Sequence, residues 1–180
     1  MTDPDVIMEA AAAFLAVRPR SVAETRGRLS HLGYPPVLCD QVVERLVSLG
    51  YLDDVAFSRA WVESRDRARP RGSLALRQEL LRKGVPRAII DGALDARGSG
   101  SRPGEDGATG AGASTSTEAE VQAARRLLDR RAATLGRDAD PRRRRQKAYA
   151  LLARHGFPPD VCRTLAASVV PTGDLDDEGV

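Results

Sequence analysis

Aromatic residues are scarce in this chain of 180 residues. Phenylalanine, tryptophan and tyrosine make up 4% of it, whereas 42% of its residues are hydrophobic. Any core must therefore be built mainly from leucine, valine and alanine. That composition favours helices and argues against a β-sandwich, which needs more β-branched and aromatic side chains. We therefore expect an all-α protein.

Long apolar runs are missing as well. The longest, from Ala10 to Val17, is much shorter than the roughly 20 residues that cross a bilayer. Asp3, Asp5 and Glu9 give the first residues the wrong sign of charge for a secretory leader. The sequence therefore predicts a cytoplasmic protein with no membrane partner.

Cysteine and histidine are too few and too far apart for a metal site. Cys39 and Cys162 form no C-x-x-C pair, and His31 and His155 lack the spacing of metal ligands. Each cysteine lies six residues beyond a glycine in a matching context, so we interpret both as small core residues. A disulfide or a reactive thiol is the alternative. No cofactor and no metal are expected.

No catalytic constellation is present in the sequence. The glycines at 98–112 lack the lysine and the preceding strand of a phosphate-binding loop. Asp53 and Asp54 are adjacent at a predicted helix start, where their side chains diverge and one is needed as the cap. Ser21 and Ser73 have no histidine-based partner nearby. The sequence therefore does not predict an enzyme.

One short pattern occurs three times: a leucine, three residues, a glycine, a bulky apolar residue and a proline. The copies occupy residues 29–35, 80–86 and 152–158. A left-handed glycine between the leucine and the apolar residue forms a Schellman motif, which ends a helix. The proline then suits the beginning of the next helix. Three equal helix-to-helix corners predict three copies of one structural unit.

Helical periodicity places three helices in each copy. We predict repeat 1 at residues 5–49, repeat 2 at 50–97 and repeat 3 at 118–170, in an elongated, solenoid-like all-α arrangement. Residues 98–117, rich in glycine, serine and threonine, are predicted to be a flexible linker. The acidic residues 171–180 are predicted to be a disordered tail.

Local signals define several helix ends. Ser21 and Glu24 have the spacing of a capping box at the start of the second helix. Asp53 is a good N-cap for the fourth helix. The seventh helix is expected to start near Glu118, where apolar periodicity resumes after the predicted linker.

The net charge of +3 is unevenly distributed. Residues 18–97 carry +5 and residues 118–170 carry +6, whereas residues 1–17 carry −3 and residues 171–180 carry −4. Nearly all the cations are arginine, whose guanidinium group suits phosphates and carboxylates. The predicted folded part is therefore basic and both ends are acidic.

The second repeat carries the most individual motifs of the chain. GYLDD at residues 50–54 is followed by Phe57 and Trp61, and LRQEL at residues 76–80 is followed by RKG at 82–84. This combination, in this order, resembles the signature of the RecX regulatory proteins.

The resemblance covers residues 7–97 closely and residues 118–170 more loosely. It implies three tandem three-helix units, no catalysis, and a protein that binds the RecA recombinase filament on single-stranded DNA. Such a protein lies along the filament groove and inhibits filament extension, ATPase activity and strand exchange, and so modulates recombination and DNA repair. The insertion at 98–117 and the acidic tail are departures from a compact family member.

The basic stretches are the candidate binding sites, because exposed arginines near helix ends suit phosphates or an acidic protein surface. A solvated charged face is the alternative interpretation. The candidate partner-binding residues are Arg65, Arg67, Arg69, Arg71, Arg77, Arg82, Lys83, Arg142, Arg143, Arg144, Arg145 and Lys147. Arg77 is the first choice, because it lies inside the matched motif and off the stripe of Leu74 and Leu81. Phe57 and Trp61 are expected in the core.

Two other functions fit parts of the sequence. A direct DNA-binding protein would contact phosphates through the same basic faces, although few aromatic residues are available for stacking on single strands. A helix-turn-helix repressor could use the two helices of residues 21–49, but neither a dimer element nor a recognition face is evident. We expect a monomer that binds the RecA filament, with weak direct DNA binding as a secondary interaction.

Overall fold

The computed structural model describes the backbone of residues 3–97 and 112–169, with side chains at 3–97 and 117–169. All regular structure in these ranges is helical, which confirms the predicted all-α class. The predicted linker falls outside the described residues up to position 111, and so does the predicted tail at 171–180.

The described residues form helices of 9 to 24 residues. Their bounds are α1 (Pro4–Val17), α2 (Val22–His31), α3 (Pro36–Ser48), α4 (Asp54–Ala68), α5 (Ser73–Arg82), α6 (Arg87–Asp95), α7 (Gly112–Leu135), α8 (Pro141–Arg154) and α9 (Pro159–Ser168). They fall into three consecutive sets, which correspond to repeat 1 (α1–α3), repeat 2 (α4–α6) and repeat 3 (α7–α9).

Helix α7 begins earlier than the sequence predicted. It starts at Gly112, inside the stretch that was predicted to be a linker up to residue 117, and not near Glu118. An existing helix extends easily, because each further residue adds one hydrogen bond without a new nucleation step. Apolar periodicity therefore marks the buried part of α7 and not its beginning. The predicted repeat boundaries themselves stay a prediction.

The three predicted corners have the expected geometry. Their glycines lie in the left-handed region, with φ of +83° at Gly33, +73° at Gly84 and +78° at Gly156. The amide nitrogens of Tyr34, Val85 and Phe157 lie 3.4, 3.2 and 3.2 Å from the carbonyl oxygens of Leu29, Leu80 and Leu152. These are the bonds that define a Schellman motif, so the corner prediction is confirmed.

The chain separates into two compact units. Unit 1 comprises Met1–Trp61 and Glu79–Ala93, and unit 2 comprises Val62–Gln78 and Leu94–Val180. Each helix of repeat 2 therefore has residues in both units. Repeat 1 belongs wholly to unit 1, and repeat 3 belongs wholly to unit 2.

The core of unit 1 is aliphatic. Ile7, Ala11, Leu29 and Val43 are buried in one cluster that draws on all three helices of repeat 1. Cys39 is buried in the same cluster, and its Sγ lies 3.6 Å from the carbonyl oxygen at position 34.

The core of unit 2 repeats this plan. Ala124, Leu128, Leu152 and Phe157 are buried together, and Cys162 occupies the place of Cys39, with its Sγ 3.4 Å from the carbonyl oxygen at position 157. Burial raises the pKa of the Cys162 thiol, which disfavours the reactive thiolate. Both cysteines are free and buried, so their interpretation as core residues is confirmed.

The buried face of α5 differs from the expected one. Leu76 and Leu80 are fully buried, whereas Leu74 and Leu81 are 49% and 38% exposed. Arg77 follows Leu74 by three residues and precedes Leu81 by four, and residues at these spacings share a helix face. Arg77 therefore lies on the Leu74 and Leu81 face and not off it, because the core selects the i, i+4 pair of Leu76 and Leu80.

Within unit 1, the corner at Gly84 contacts the amino end of α2. Ser21 Oγ donates to the carbonyl oxygen of Lys83 at 2.6 Å, and the first amide of α2 donates to Asp54 Oδ1 at 3.0 Å. A Cβ added to Gly84 would lie 2.3 Å from the Cβ of Ala23. We call this arrangement the unit 1 joint.

Within unit 2, the corner at Gly156 contacts the amino end of α5. The amide of Gly72 donates to the carbonyl oxygen of His155 at 2.9 Å, and the first amide of α5 donates to Glu120 Oε1 at 2.8 Å. A Cβ added to Gly156 would lie 2.5 Å from the Cβ of Ala75. We call this arrangement the unit 2 joint.

Candidate partner-binding surfaces

Lys83 is not a freely exposed cation. Its ammonium group lies 3.0 Å from Glu24 and 4.3 Å from the ring centroid of Trp61, and its side chain is 16% exposed. Burial pushes the pKa of Glu24 up, but hydrogen bonds from Lys83, the Ser21 amide and Arg18 leave that pKa lowered. Lys83 was predicted to be a binding residue. In the structure it neutralises the half-buried carboxylate of Glu24 in unit 1.

Arg97, which was not among the predicted binding residues, has a side chain that is only 2% exposed. Its guanidinium group pairs with Asp66 at 2.6 Å and with Glu120, and it donates to the carbonyl oxygen of Arg71 at 2.8 Å. Burial raises the pKa of Glu120, and the positive charge of Arg97 opposes this shift. The network fixes the connection between α4 and α5 in unit 2. The one feature of the sequence that pointed to this network was Asp66, a carboxylate within an arginine-rich run.

The cations of the first basic stretch differ in exposure. Arg67 and Arg69 are exposed, whereas Arg65 and Arg71 are half-buried and engaged in other interactions. Arg67 lies 3.9 Å from Glu63, and such an exposed pair stabilises a protein by less than about 1 kcal/mol. Arg69 forms no ion pair within the described ranges, and its charge is therefore available to a partner.

Four arginines come together in a cleft of unit 2. Arg69 and Arg71 line one side, Arg130 and Arg131 of α7 line another, and His155 completes it around a volume of about 490 Å³. We call these five residues the basic cleft. Converging guanidinium groups are suited to phosphate or carboxylate groups.

One of these arginines also holds the cleft together. Arg130 donates from its two terminal nitrogens to the carbonyl oxygens of Ala68 and Arg67, at 2.7 and 2.9 Å. These carbonyls belong to the end of α4, where helical partners are lacking. Arg130 and Arg131 lie outside the predicted set of binding residues. Their signal was the cationic side of α7.

Arg77 and Arg82 lie on α5 in different surroundings. Arg77 is half-buried and engaged with other groups. Arg82, the last residue of α5, is exposed and has no ion pair in the part of the chain that the structure describes. The sequence preferred Arg77, but the structure leaves Arg82 more accessible.

The cations of the dense run at residues 142–147 differ in ion pairing and burial. Arg143 lies 3.5 Å from Asp140, and Lys147 lies 2.7 Å from Asp138, whose pKa is lowered by the hydrogen bond from Lys147. Arg144 is half-buried, and its Nε has no hydrogen-bond partner among the residues that the structure describes. Three of the five predicted cations in this run are therefore paired or partly buried.

The other two, Arg142 and Arg145, are exposed. They line a cleft of about 300 Å³ together with Tyr149 of α8 and Arg163 of α9. We call it the α8–α9 cleft. Neither Tyr149 nor Arg163 was among the predicted binding residues.

The adjacent carboxylates of repeat 2 both cap helices. Asp53 Oδ1 accepts hydrogen bonds from the amides of Val55 and Ala56 at 2.7 and 3.0 Å, which confirms Asp53 as an N-cap. Asp54 accepts the first amide of α2, and burial raises its pKa against that hydrogen bond. Both side chains therefore have structural partners.

Metal ligands are not clustered in the described ranges, where no three histidine, cysteine or acidic side chains could hold an ion. None of the helices in the described part of the chain is long and apolar enough to span a membrane.

Sequence profiles of the RecX family match all three repeats. The first three-helix domain of RecX matches residues 8–46, the second matches residues 53–94 and the third matches residues 118–165. The matches leave out the glycine-rich stretch that precedes α7.

Curated relatives carry the same family name. Regulatory protein RecX of Deinococcus radiodurans is 35% identical over 147 residues, which are 81% of this chain and 60% of that protein. Its counterpart in Mycobacterium tuberculosis is 32% identical over 156 residues, 87% of this chain and 79% of the relative. The match to the protein of Prosthecochloris aestuarii is 40% identical over 96 residues and covers 64% of that relative. The chain thus spans less than two thirds of the length of several relatives.

Two solved structures share the fold. The crystal structure of RecX from Lactobacillus salivarius superposes with a TM-score of 0.69 at 19% identity, over 92% of this chain and 96% of that one. A crystal structure of regulatory protein RecX gives a TM-score of 0.68 at 20% identity, over 88% of this chain and 68% of that one.

Proposed function

Because the chain belongs to the RecX family of regulatory proteins, we propose that it regulates the RecA recombinase. It binds the RecA filament on single-stranded DNA in the cytoplasm. Binding inhibits filament extension, ATPase activity and strand exchange, and so modulates homologous recombination and DNA repair.

The basic cleft is the observation that supports this proposal best. Its arginines come from the α4–α5 connection and from α7, and they surround a volume of about 490 Å³ that a projecting acidic group can enter. Guanidinium groups bind carboxylates in a fixed, two-pronged geometry that adds specificity to charge attraction. The partner surface that fits this cleft is acidic.

The cleft is also held in place before any partner binds. Arg97 fixes the α4–α5 connection from a buried position, and Arg130 ties α7 to the end of α4. A site whose side chains are already ordered loses less conformational entropy on association. The proposed mechanism needs only such binding, and it involves no chemical step.

The test uses purified RecA on single-stranded DNA, with ATPase rate and filament co-sedimentation as readouts. We expect the wild-type chain to co-sediment and to inhibit. A double variant with Arg69→Glu and Arg131→Glu should need at least about ten times more protein for half-inhibition, a loss of about 1.4 kcal/mol.

A double variant with Arg28→Glu and Arg45→Glu is the matched control, because it changes the net charge equally and both residues are exposed in unit 1 and far from this cleft in the sequence. It should inhibit as the wild type does, and circular dichroism should show all variants equally helical. No binding by the wild type at low salt would refute regulation of RecA. Equal inhibition by the Arg69→Glu and Arg131→Glu variant would refute only the assignment to the basic cleft.

A further inference from the structure

The α8–α9 cleft combines several cations with an aromatic side chain. Four residues of α8 and two of α9 line it: Arg142, Arg145, Gln146, Tyr149, Arg163 and Ala166. The Tyr149 side chain is 37% exposed, so its ring is accessible from solvent. An aromatic ring therefore lies among three cations.

Within the described ranges, the three arginines of this cleft have no acidic partner. Neighbouring cations of α8 are neutralised by Asp140 and Asp138, but Arg142, Arg145 and Arg163 form no ion pair with the described part of the chain. Unpaired guanidinium groups near one another repel, and a bound anion relieves this repulsion.

The corner glycines give the repeats a common register that shows how this cleft arose. Seven residues before and after Gly33 stand Arg26 and Asp40, whose side chains pair at 2.7 Å. Repeat 2 has the same residue types, Arg77 and Asp91, at the same two positions around its glycine. An arginine before the corner and an aspartate after it are thus the pattern of the first two repeats.

Repeat 3 breaks this pattern at both positions. Tyr149 stands where the arginine is expected, and Arg163 stands where the aspartate is expected, seven residues on either side of Gly156. The exchange removes a carboxylate, adds an unpaired cation and places a ring beside it.

A second change affects the same place. Helices α2 and α5 begin 11 residues before their corner glycines (33 − 22 and 84 − 73), whereas α8 begins 15 before its own (156 − 141). The additional four residues are about one helical turn. Arg142 lies in this added turn, so two independent departures from the repeat pattern both contribute to the cleft.

We propose that the α8–α9 cleft binds single-stranded nucleic acid, with phosphates on the three arginines and a base stacked on Tyr149. Sequence-independent single-strand sites combine a cationic path for the backbone with aromatic side chains for the bases. One accessible ring suffices for one base, although the chain has few aromatic residues. An acidic protein segment would use the arginines but would gain nothing from replacing an arginine by tyrosine.

The first test is binding of fluorescently labelled oligothymidylate to the full chain without RecA, followed by anisotropy over a range of salt. Tyr149→Leu should weaken binding roughly 5- to 150-fold, the range for a lost stacking contact, and leave the salt dependence unchanged. Tyr149→Phe should bind as the wild type does. Arg163→Ala should reduce the slope of log affinity against log salt by about 0.7, the value for one phosphate contact on a single strand.

The sharper variant combines Tyr149→Arg with Arg163→Asp, which rebuilds the ion pair of repeat 1. Because Arg26 and Asp40 form this pair at the same register, the fold should be retained, as circular dichroism can verify. Net charge falls by one (+1 − 2), and Arg45→Ala is the control with the same change at another exposed site. We expect the double variant to lose at least tenfold in affinity and the control to lose less than twofold.

Three results would overturn the proposal: no wild-type binding at low salt, equal binding by the double variant, or competition by polyglutamate as strong as that by unlabelled oligothymidylate. The last would identify an acidic protein segment as the ligand. An oligouridylate arm distinguishes RNA from DNA as the preferred strand, and binding of either one through Tyr149 supports the site. Since RecA is absent from the assay, its failure would not affect the proposed regulation of RecA.

Discussion

The two joints connect equivalent elements through different groups. In unit 1 the hydroxyl of Ser21 reaches the carbonyl of Lys83, whereas in unit 2 the backbone amide of Gly72 reaches the carbonyl of His155. Ser21 and Gly72 stand at the same distance, 12 residues, before their corner glycines (33 − 21 and 84 − 72). A Cβ at Gly72 would lie 2.1 Å from the carbonyl oxygen of Gly156, so the closer approach in unit 2 excludes a side-chain cap.

The two joints also share one kind of hydrogen bond. A carboxylate from the first helix of the following repeat accepts the first amide of the receiving helix: Asp54 at α2 and Glu120 at α5. Burial raises the pKa of both carboxyls. The two units differ in the cation that neutralises their acidic groups. In unit 1 the half-buried Lys83 pairs with Glu24, and in unit 2 the fully buried Arg97 pairs with Asp66 and Glu120.

Removing the buried cation should have the largest effect. Arg97→Met leaves Asp66 and Glu120 without their partner, and breaking a buried ion pair costs about 3–5 kcal/mol of unfolding free energy. Lys83→Met, the counterpart in unit 1, should cost only about 1 kcal/mol, because Lys83 and Glu24 retain contact with solvent. Urea unfolding followed by circular dichroism measures both. Equal losses would contradict the ranking of the two networks.

Replacing corner glycines by alanine should distinguish the cost of backbone strain from the cost of close packing. Gly156→Ala places a side chain at φ +78° and against Ala75, which should destabilise by about 3 kcal/mol, the sum of strain and overpacking. Gly33 has φ +83° but no heavy atom within 4 Å of an added Cβ, so Gly33→Ala should show the strain alone, about 1–2 kcal/mol. The same urea titration distinguishes them, and identical costs would mean that the unit 2 joint opens to admit the methyl group.

Glu24 of unit 1 and Glu120 of unit 2 should respond to pH in opposite directions, with the smallest effects of the three predictions. Folding lowers the pKa of Glu24, so its stabilising contribution is present above the ordinary value of 4.5 and is lost as pH falls through the lowered value. Folding raises the pKa of Glu120, so its contribution is present below 4.5 and is lost as pH rises through the raised value.

Urea titrations at a series of pH values provide the measurement. Glu24→Gln should reduce the loss of unfolding free energy as pH falls below 4.5. Glu120→Gln should reduce the loss of unfolding free energy as pH rises above 4.5. If both variants change the pH profile in the same direction, the proposed contrast between the carboxyls is incorrect.

Much of the fold could be predicted because its determinants are local. The bond from Tyr34 to Leu29 spans five residues, and Ser21 with Glu24 forms the predicted capping box with both of its hydrogen bonds. The partners of the cations could not be predicted in this way. Lys83 lies 59 residues from Glu24, and Arg97 is separated from its own partner in α7 by a low-complexity stretch.

In a run of like charges, the sequence also does not show which residues are unpaired and can contact a partner. Nothing in the sequence around residues 142–147 distinguishes Arg145 from Lys147, because the acidic partner of Lys147 precedes the helix. A signal for Arg163 and Tyr149 did exist in the register of the repeats, seven residues from the corner glycine. It becomes visible once the corresponding pair of repeat 1 is seen in contact.

The spacing of hydrogen bonds at the corners and joints has a consequence for the order of folding. Corner bonds close loops of five residues, whereas the joint bonds from Ser21 and to Glu120 span 62 and 47 residues. Short loops close faster and at a smaller loss of chain entropy. The helical hairpins α2–α3 and α8–α9 should therefore form first and the joints last. In native-state hydrogen exchange, the amides at the start of α2 and α5 should open before those of the corners.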